Sequence, residues 1–200
     1  MPVTARSTDT RRSILDAARR ITAHKDHSAV GITEVLAEAG VPEGSFHHHF
    51  PSKDAFGEAL PRGHFDEYAS GTDRVLAQPD EPAAERLTAY WRQWRQWRQT
   101  QGVDECQGKR PTVKLGAEAA DLSEAMRLAL KEGTDAIVDR IERTITSGLA
   151  DGSIAVGGDP RGTAQTLYEM RLGASVMTKI HRSPAPLDTA TAVTRRLLHP

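Results

Sequence analysis

A disulfide within the chain is ruled out, because the 200 residues include a single cysteine, Cys106. Aromatic residues are scarce at 5%, so most of any core must come from Leu, Ile, Val, Ala and Met. No apolar run approaches the roughly 18 residues that span a bilayer. Met1–Arg12 lacks the apolar stretch of a signal peptide. These absences predict a cytoplasmic protein with no membrane partner. Net charge is also missing. The 26 basic and 27 acidic residues leave −1, so no global field announces a nucleic-acid partner. Alternating strand patterns of useful length are absent too, which predicts an all-α fold.

What is present is unevenly placed. Arg6, Arg11, Arg12, Arg19 and Arg20 face only Asp9 and Asp16 in the first 20 residues, whereas acids outnumber bases from Asp54 to Tyr90. The periodicity predicts a first helix over about 10–24, with Ile14, Leu15, Ala18 and Ile21 on one face. A short helix follows, with Thr33 as N-cap and Gly40 as its stop. Pro42 suits the opening of a second short helix, and Ser52 caps a fourth. Pro61 and Gly63 predict a kink or break in that fourth helix. A fifth helix is expected over about 83–100 and a sixth from about Pro111. The seventh carries Leu122, Met126, Leu130, Ile137, Ile141, Ile145 and Leu149 as one buried stripe. The eighth, Arg161 to His181, is apolar on more than one side, and a last short helix holds Leu187, Ala190, Val193, Leu197 and Leu198. The expectation is about nine helices: a three-helix head over residues 1–60 and a larger helical domain over 61–200.

The segment Thr33 to Phe50 places two short helices across a glycine turn, with Val35, Leu36, Ala39, Val41, Phe46 and Phe50 as shared core. Geometry alone leaves an ordinary helical hairpin and a helix-turn-helix DNA reader both open. Small residues, Gly44 and Ser45, at the start of the second helix would let the backbone approach a major groove. The Ala39-Gly40-Val41 turn, Gly44-Ser45 before an aromatic-rich helix, Phe50-Pro51-Ser52-Lys53 and the stretch Arg11-Arg12-Ser13-Ile14-Leu15-Asp16-Ala17-Ala18 resemble the TetR/AcrR family of regulators. The resemblance places the helix-turn-helix at about 33–52. It implies DNA contacts from Arg11, Thr33, Gly44, Ser45, His48 and Lys53, with Glu43 and His47 at contact positions where the family usually has a basic residue and a tyrosine. Three successive histidines, His47, His48 and His49, point about 100° apart on a helix, so they are not expected to share one metal ion. No cofactor is expected.

The resemblance also implies that the larger domain binds a small-molecule inducer and dimerises. The two-sided apolar character of the last two helices independently predicts a homodimer joined through them. A two-fold dimer would present its reading helices to a palindromic operator, at sites roughly 34–36 Å apart. Thr112-Val113-Lys114-Leu115-Gly116, Asp121-Leu122-Ser123-Glu124-Ala125-Met126-Arg127 and Lys179-Ile180-His181-Arg182-Ser183 resemble the electrophile-sensing, NemR-like branch of the family. That likeness implies sensing by a cysteine, helped by a lysine matching Lys179, and Lys114 is a further candidate for the sensing site. Cys106 lies four residues upstream of Arg110, beside Lys109, and not directly before Thr112 as in the branch. Whether it is reactive or inert stays open. Trp91, Trp94 and Trp97 fall on roughly a 120° arc of one helix face. They either pack in the core or, with Tyr168, wall an inducer pocket.

The reading is therefore a repressor, not an enzyme, released from its operator by a small molecule or reactive electrophile. Two alternatives stand beside it: a small helical thiol-dependent enzyme using Cys106, and a constitutive DNA-binding protein without inducer. The Pro61–Gly63 interruption would serve as a hinge between head and sensor.

Overall fold

A computed structural model describes residues 3–24, 30–96 and 123–198. Its regular elements are all helical among the described residues: α1 (Val3–His24), α2 (Ile32–Ala39), a 3-10 turn (Glu43–Ser45), α3 (Phe46–His49), α4 (Lys53–Leu76), α5 (Ala83–Gln96), α6 (Glu124–Asp151), α7 (Pro160–His181) and α8 (Ala185–Leu198). The sixth helix expected from Pro111, the end of the fifth beyond Gln96, and Leu122 lie outside the described residues. Two compact units result. One holds the described residues of 1–65 and 101–131, the other those of 66–100 and 132–200.

The first unit is a small head with a single apolar core. Ile14, Leu15, Ala17 and Ala18 of α1 meet Val35 and Leu36 of α2, Phe46 and Phe50 around α3, and Phe56, Ala59 and Leu60 of α4. The three phenylalanines interlock: Phe46 and Phe50 each meet the Phe56 ring edge-on, at 5.5 and 5.1 Å between centroids. Such pairs add about 0.5–1.5 kcal/mol to what burial alone gives. The start of α6 belongs to this unit, and Met126 Sδ would lie 3.1 Å from a Cβ on Gly57. Glycine at 57 makes the notch that the methionine fills.

Three local expectations need correction here. α1 begins at Val3, seven residues before the expected start at Thr10. Helix α2 opens after Gly31, whose extended backbone makes it the N-cap, so Thr33 is inside the first turn and caps nothing. The fourth helix does not break: α4 runs from Lys53 to Leu76 with a buried Pro61 inside it. Proline removes one N–H from the ladder, and the flanking turns of this 24-residue helix carry it across.

The second unit is held by polar links as well as by its aliphatic stripe. Ile137, Ile141 and Ile145 of α6 are buried, while Leu149 is 41% exposed. Positions four apart advance 400°, so a stripe of fours drifts about 40° per step. Three steps carry Leu149 off the face. Asp159 caps α7 through its carboxylate, accepting from the N–H groups of Arg161 and Gly162, with Pro160 as the first helical residue. Asp151 and Ser153 accept from the N–H groups of Ala83 and Ala84 and so cap α5 from another chain segment. Arg140 grips Asp73 with both Nε and Nη2, at 2.7 and 3.0 Å. That guanidinium holds the Asp73 carboxyl below the usual aspartate range.

Candidate nucleic-acid interface

The head's reading segment is built by a glycine turn. Gly40 adopts φ 65°, in the left-handed region, and its N–H donates to Ala37 O while Val41 N–H donates to Leu36 O at 3.0 Å. This Schellman closure ends α2, and only a residue without Cβ takes that backbone without strain. The chain then passes Val41 and Pro42 into the Glu43–Ser45 turn and α3. Phe46 and Phe50 anchor α3 from below, at 3% and 1% exposure.

That anchoring leaves the other side of the segment in solvent. Thr33, Glu43, Gly44, His47, His48 and Lys53 are exposed, and Ser45 is half-buried. Arg11 is exposed as well, with its guanidinium 5.0 Å above the centroid of the Phe50 ring. The sequence-assigned DNA contacts therefore share one property in the head: each has polar groups available at its surface. His49 differs from its two neighbours. It is half-buried, and burial first, then His48 and Arg11, lower its pKa below the ordinary histidine value of 6.5. Among the described residues no cluster of three His, Cys, Asp or Glu groups is placed to hold a metal ion.

The local basic excess of the amino terminus is smaller than a count of arginines suggests. Arg12 and Arg19 both pair with Asp16, at 3.9 and 3.2 Å, and Arg20 pairs with Glu38 at 3.0 Å. Glu43 also engages a neighbour: its Oε1 accepts a hydrogen bond from Thr33 Oγ1 at 2.8 Å. Sequence reasoning had placed both residues at the interface but had no signal for their pairing, since ten residues and a turn separate them.

The sensing residues are placed less completely. Trp97, Cys106 and Lys114 lie outside the described residues. Trp91 and Trp94 are buried, at 4% and 5% exposure, as is Tyr168 at 4%. Trp94 stands edge-on to Tyr168 with centroids 6.1 Å apart, and its indole N–H donates to Ser175 Oγ at 3.0 Å. Tyr68 and Tyr90 share a hydroxyl–hydroxyl bond of 2.8 Å. The residue that sequence reasoning missed is Arg171. It is 1% exposed and lies 4.8 Å over the Trp91 ring, with Thr194 Oγ1 at 3.5 Å from its Nη2. An arginine on a helix with no surrounding motif gives no warning that it points inward. Lys179 is half-buried in the last turn of α7, whose end is closed by Arg182 at φ 48°. Along the same helix Val176, Met177 and Ile180 are 37%, 42% and 67% exposed, as is Leu197 of α8 at 38%. No helix among the described residues is long and apolar enough to cross a membrane.

Comparison with known proteins bears on both units. Residues 14–60 match the family described as bacterial regulatory proteins, tetR family, and residues 83–194 match the tetracyclin repressor-like C-terminal domain. The chain is 33% identical over 191 residues to the HTH-type transcriptional repressor NemR of Escherichia coli, covering 95% of this chain and 94% of that one. It is 27% identical over 193 residues to the HTH-type transcriptional repressor DhaR of a Mycobacterium species, covering 96% of this chain and 94% of the relative. The crystal structure of Escherichia coli NemR in its reduced form superposes with a TM-score of 0.87, covering 95% of this chain and 97% of that chain. With both domains matched and a relative of that identity aligned nearly end to end, the chain belongs to the TetR family of bacterial regulatory proteins and is a DNA-binding transcriptional regulator.

Proposed function

We propose that this protein is a cytoplasmic homodimeric repressor that occupies a palindromic operator and leaves it when a small molecule or reactive electrophile engages the second unit. The observation that carries the reading is the two-sided build of the reading segment. Phe46 and Phe50 fix it from beneath, while Thr33, Gly44, His47, His48 and Lys53 remain exposed. The match of residues 14–60 to the tetR family gives that exposed face its use. Arg11, Ser45, Lys53 and the backbone N–H of Thr33 in the first turn of α2 would meet phosphates, and Gly44, His47 and His48 would approach the bases. The exposed apolar side chains of α7 and α8 would be covered by the same helices of a second copy, which supports the dimer.

Cys106, with Lys114 or Lys179, would be the sensor. The relative whose crystal structure is described as a reduced form supports a thiol-based signal here. Trp91, Trp94, Trp97 and Tyr168 would form the apolar body of the sensing domain. Footprinting with purified protein is expected to protect one two-fold-symmetric site. A quinone or aldehyde is expected to lower affinity for that site at least tenfold in the wild type and to leave Cys106→Ser bound. Equal release of both proteins would replace the thiol mechanism with a noncovalent inducer, and uniform coverage of any DNA would sink the operator reading.

A further inference from the structure

Glu43 is an anomaly on a surface that meets a polyanion. It is exposed at the first position of the turn leading into α3, among the very residues turned toward DNA in the reading above. Beside phosphates, a carboxylate weakens binding to every sequence alike. Only base edges offer it a reward, and they do so selectively. In the major groove cytosine presents its N4 amine as a donor. Adenine sets its N6 amine beside the N7 acceptor, which repels a carboxylate, and guanine and thymine present acceptors there.

The structure prepares this carboxylate for such a contact. Thr33 Oγ1 donates to Oε1 at 2.8 Å, which ties the start of α2 to the start of the reading turn and fixes the side chain. Thr33 is the only hydrogen-bond partner of Glu43 among the described residues, so the second oxygen, Oε2, keeps its acceptor capacity. No cation among the described residues neutralises Glu43 within ion-pair distance, whereas the nearby Glu38 is taken up by Arg20. Two acids of the same small head therefore differ in use: one is paired away, and the other is held ready.

We propose that Glu43 is a specificity-determining residue of the reading head, accepting a hydrogen bond from a cytosine amine in each half-site while Thr33 holds the carboxylate. The proposal rests on the DNA-binding reading above. It is tested by selecting binding sites from a randomised duplex DNA library with the full-length wild type, Glu43→Ala and Glu43→Gln. Affinities are then measured on single-base variants of the wild-type site. The wild type is expected to return cytosine at one position of each half-site, with about tenfold discrimination against other bases. Glu43→Ala is expected to lose that preference, to about twofold or less, while keeping the rest of the site. Glu43→Gln is expected to shift the preference at the same position toward adenine, which matches an amide. If Glu43→Ala selects the same site with undiminished discrimination at every position, the proposal is overturned. Uniformly tighter binding to all sequences overturns it too, because the carboxylate would then act only as an electrostatic brake. A wild type that selects no sequence refutes the operator reading itself, a different and separable result. Glu43 is exposed, so unchanged thermal melting of the variants is expected and secures the comparison.

Discussion

The two units solve the problem of burying a small amount of material in opposite ways. Among the described residues of the head, no polar or charged residue is buried as a whole, and the core is apolar. The second unit buries Thr72, Thr144, Arg171, Thr178 and Thr194 among its aliphatic and aromatic residues. An apolar core of small helices tolerates wide variation on its outer face, because nothing outside is needed to hold it together. Buried polar groups demand particular partners and penalise alternatives. The difference teaches how each unit is held: the head by apolar contact alone, the second unit by apolar contact together with buried polar groups.

The largest expected effect tests the head. Phe50→Ala removes a ring that meets both Phe46 and Phe56 and should cost about 3–5 kcal/mol of stability. Urea denaturation followed by circular dichroism, with loss of DNA binding, is the check. Retained binding with a loss under about 1 kcal/mol would show that the head does not depend on this apolar cluster. A smaller loss, about 2–3 kcal/mol, is expected for Arg171→Ala in the second unit. It deletes the guanidinium stacked on Trp91 and leaves a void. A red-shifted tryptophan emission should accompany it, and an unshifted spectrum would argue against the stacking. The smallest effect concerns His49. Its pKa is lowered in the folded chain, so the unfolded chain binds the proton more readily. Its contribution is therefore present above the ordinary value of 6.5 and is lost as pH falls through the lowered value. Melting temperature should drop modestly from pH 7.5 to 5.5, and His49→Gln should flatten that slope. An identical slope in both proteins would remove His49 from the account.

Much of this was readable beforehand, and the reasons are local. Gly40 and Pro42 marked the turn because each has backbone preferences that act without tertiary help. Ser52 was recognisable as a cap for the same reason, and its Oγ accepts from Ala55 N–H at 3.0 Å. Errors arose where longer-range geometry decides. The start of α1 is polar and carries no stripe, so periodicity could not find it. Pro61 and Gly63 predict a kink or break, and of these the break does not occur, because the flanking turns sustain the helix. Thr33 resembles a cap by residue type, yet its hydroxyl is claimed by Glu43, across a turn. Arg171 shows the limit most clearly: nothing in its neighbours along the chain reveals that it ends over an indole ring.

The placement of the tryptophans has a practical consequence. All three in the chain, Trp91, Trp94 and Trp97, fall within seven residues of one another, and the head has none. Intrinsic emission is therefore a built-in optical reporter of the second unit alone. Titrating DNA and titrating an inducer can be told apart in one cuvette without any label. A spectral change produced by DNA, whose contacts are assigned to the tryptophan-free head, would be a direct optical record of coupling between the two sites.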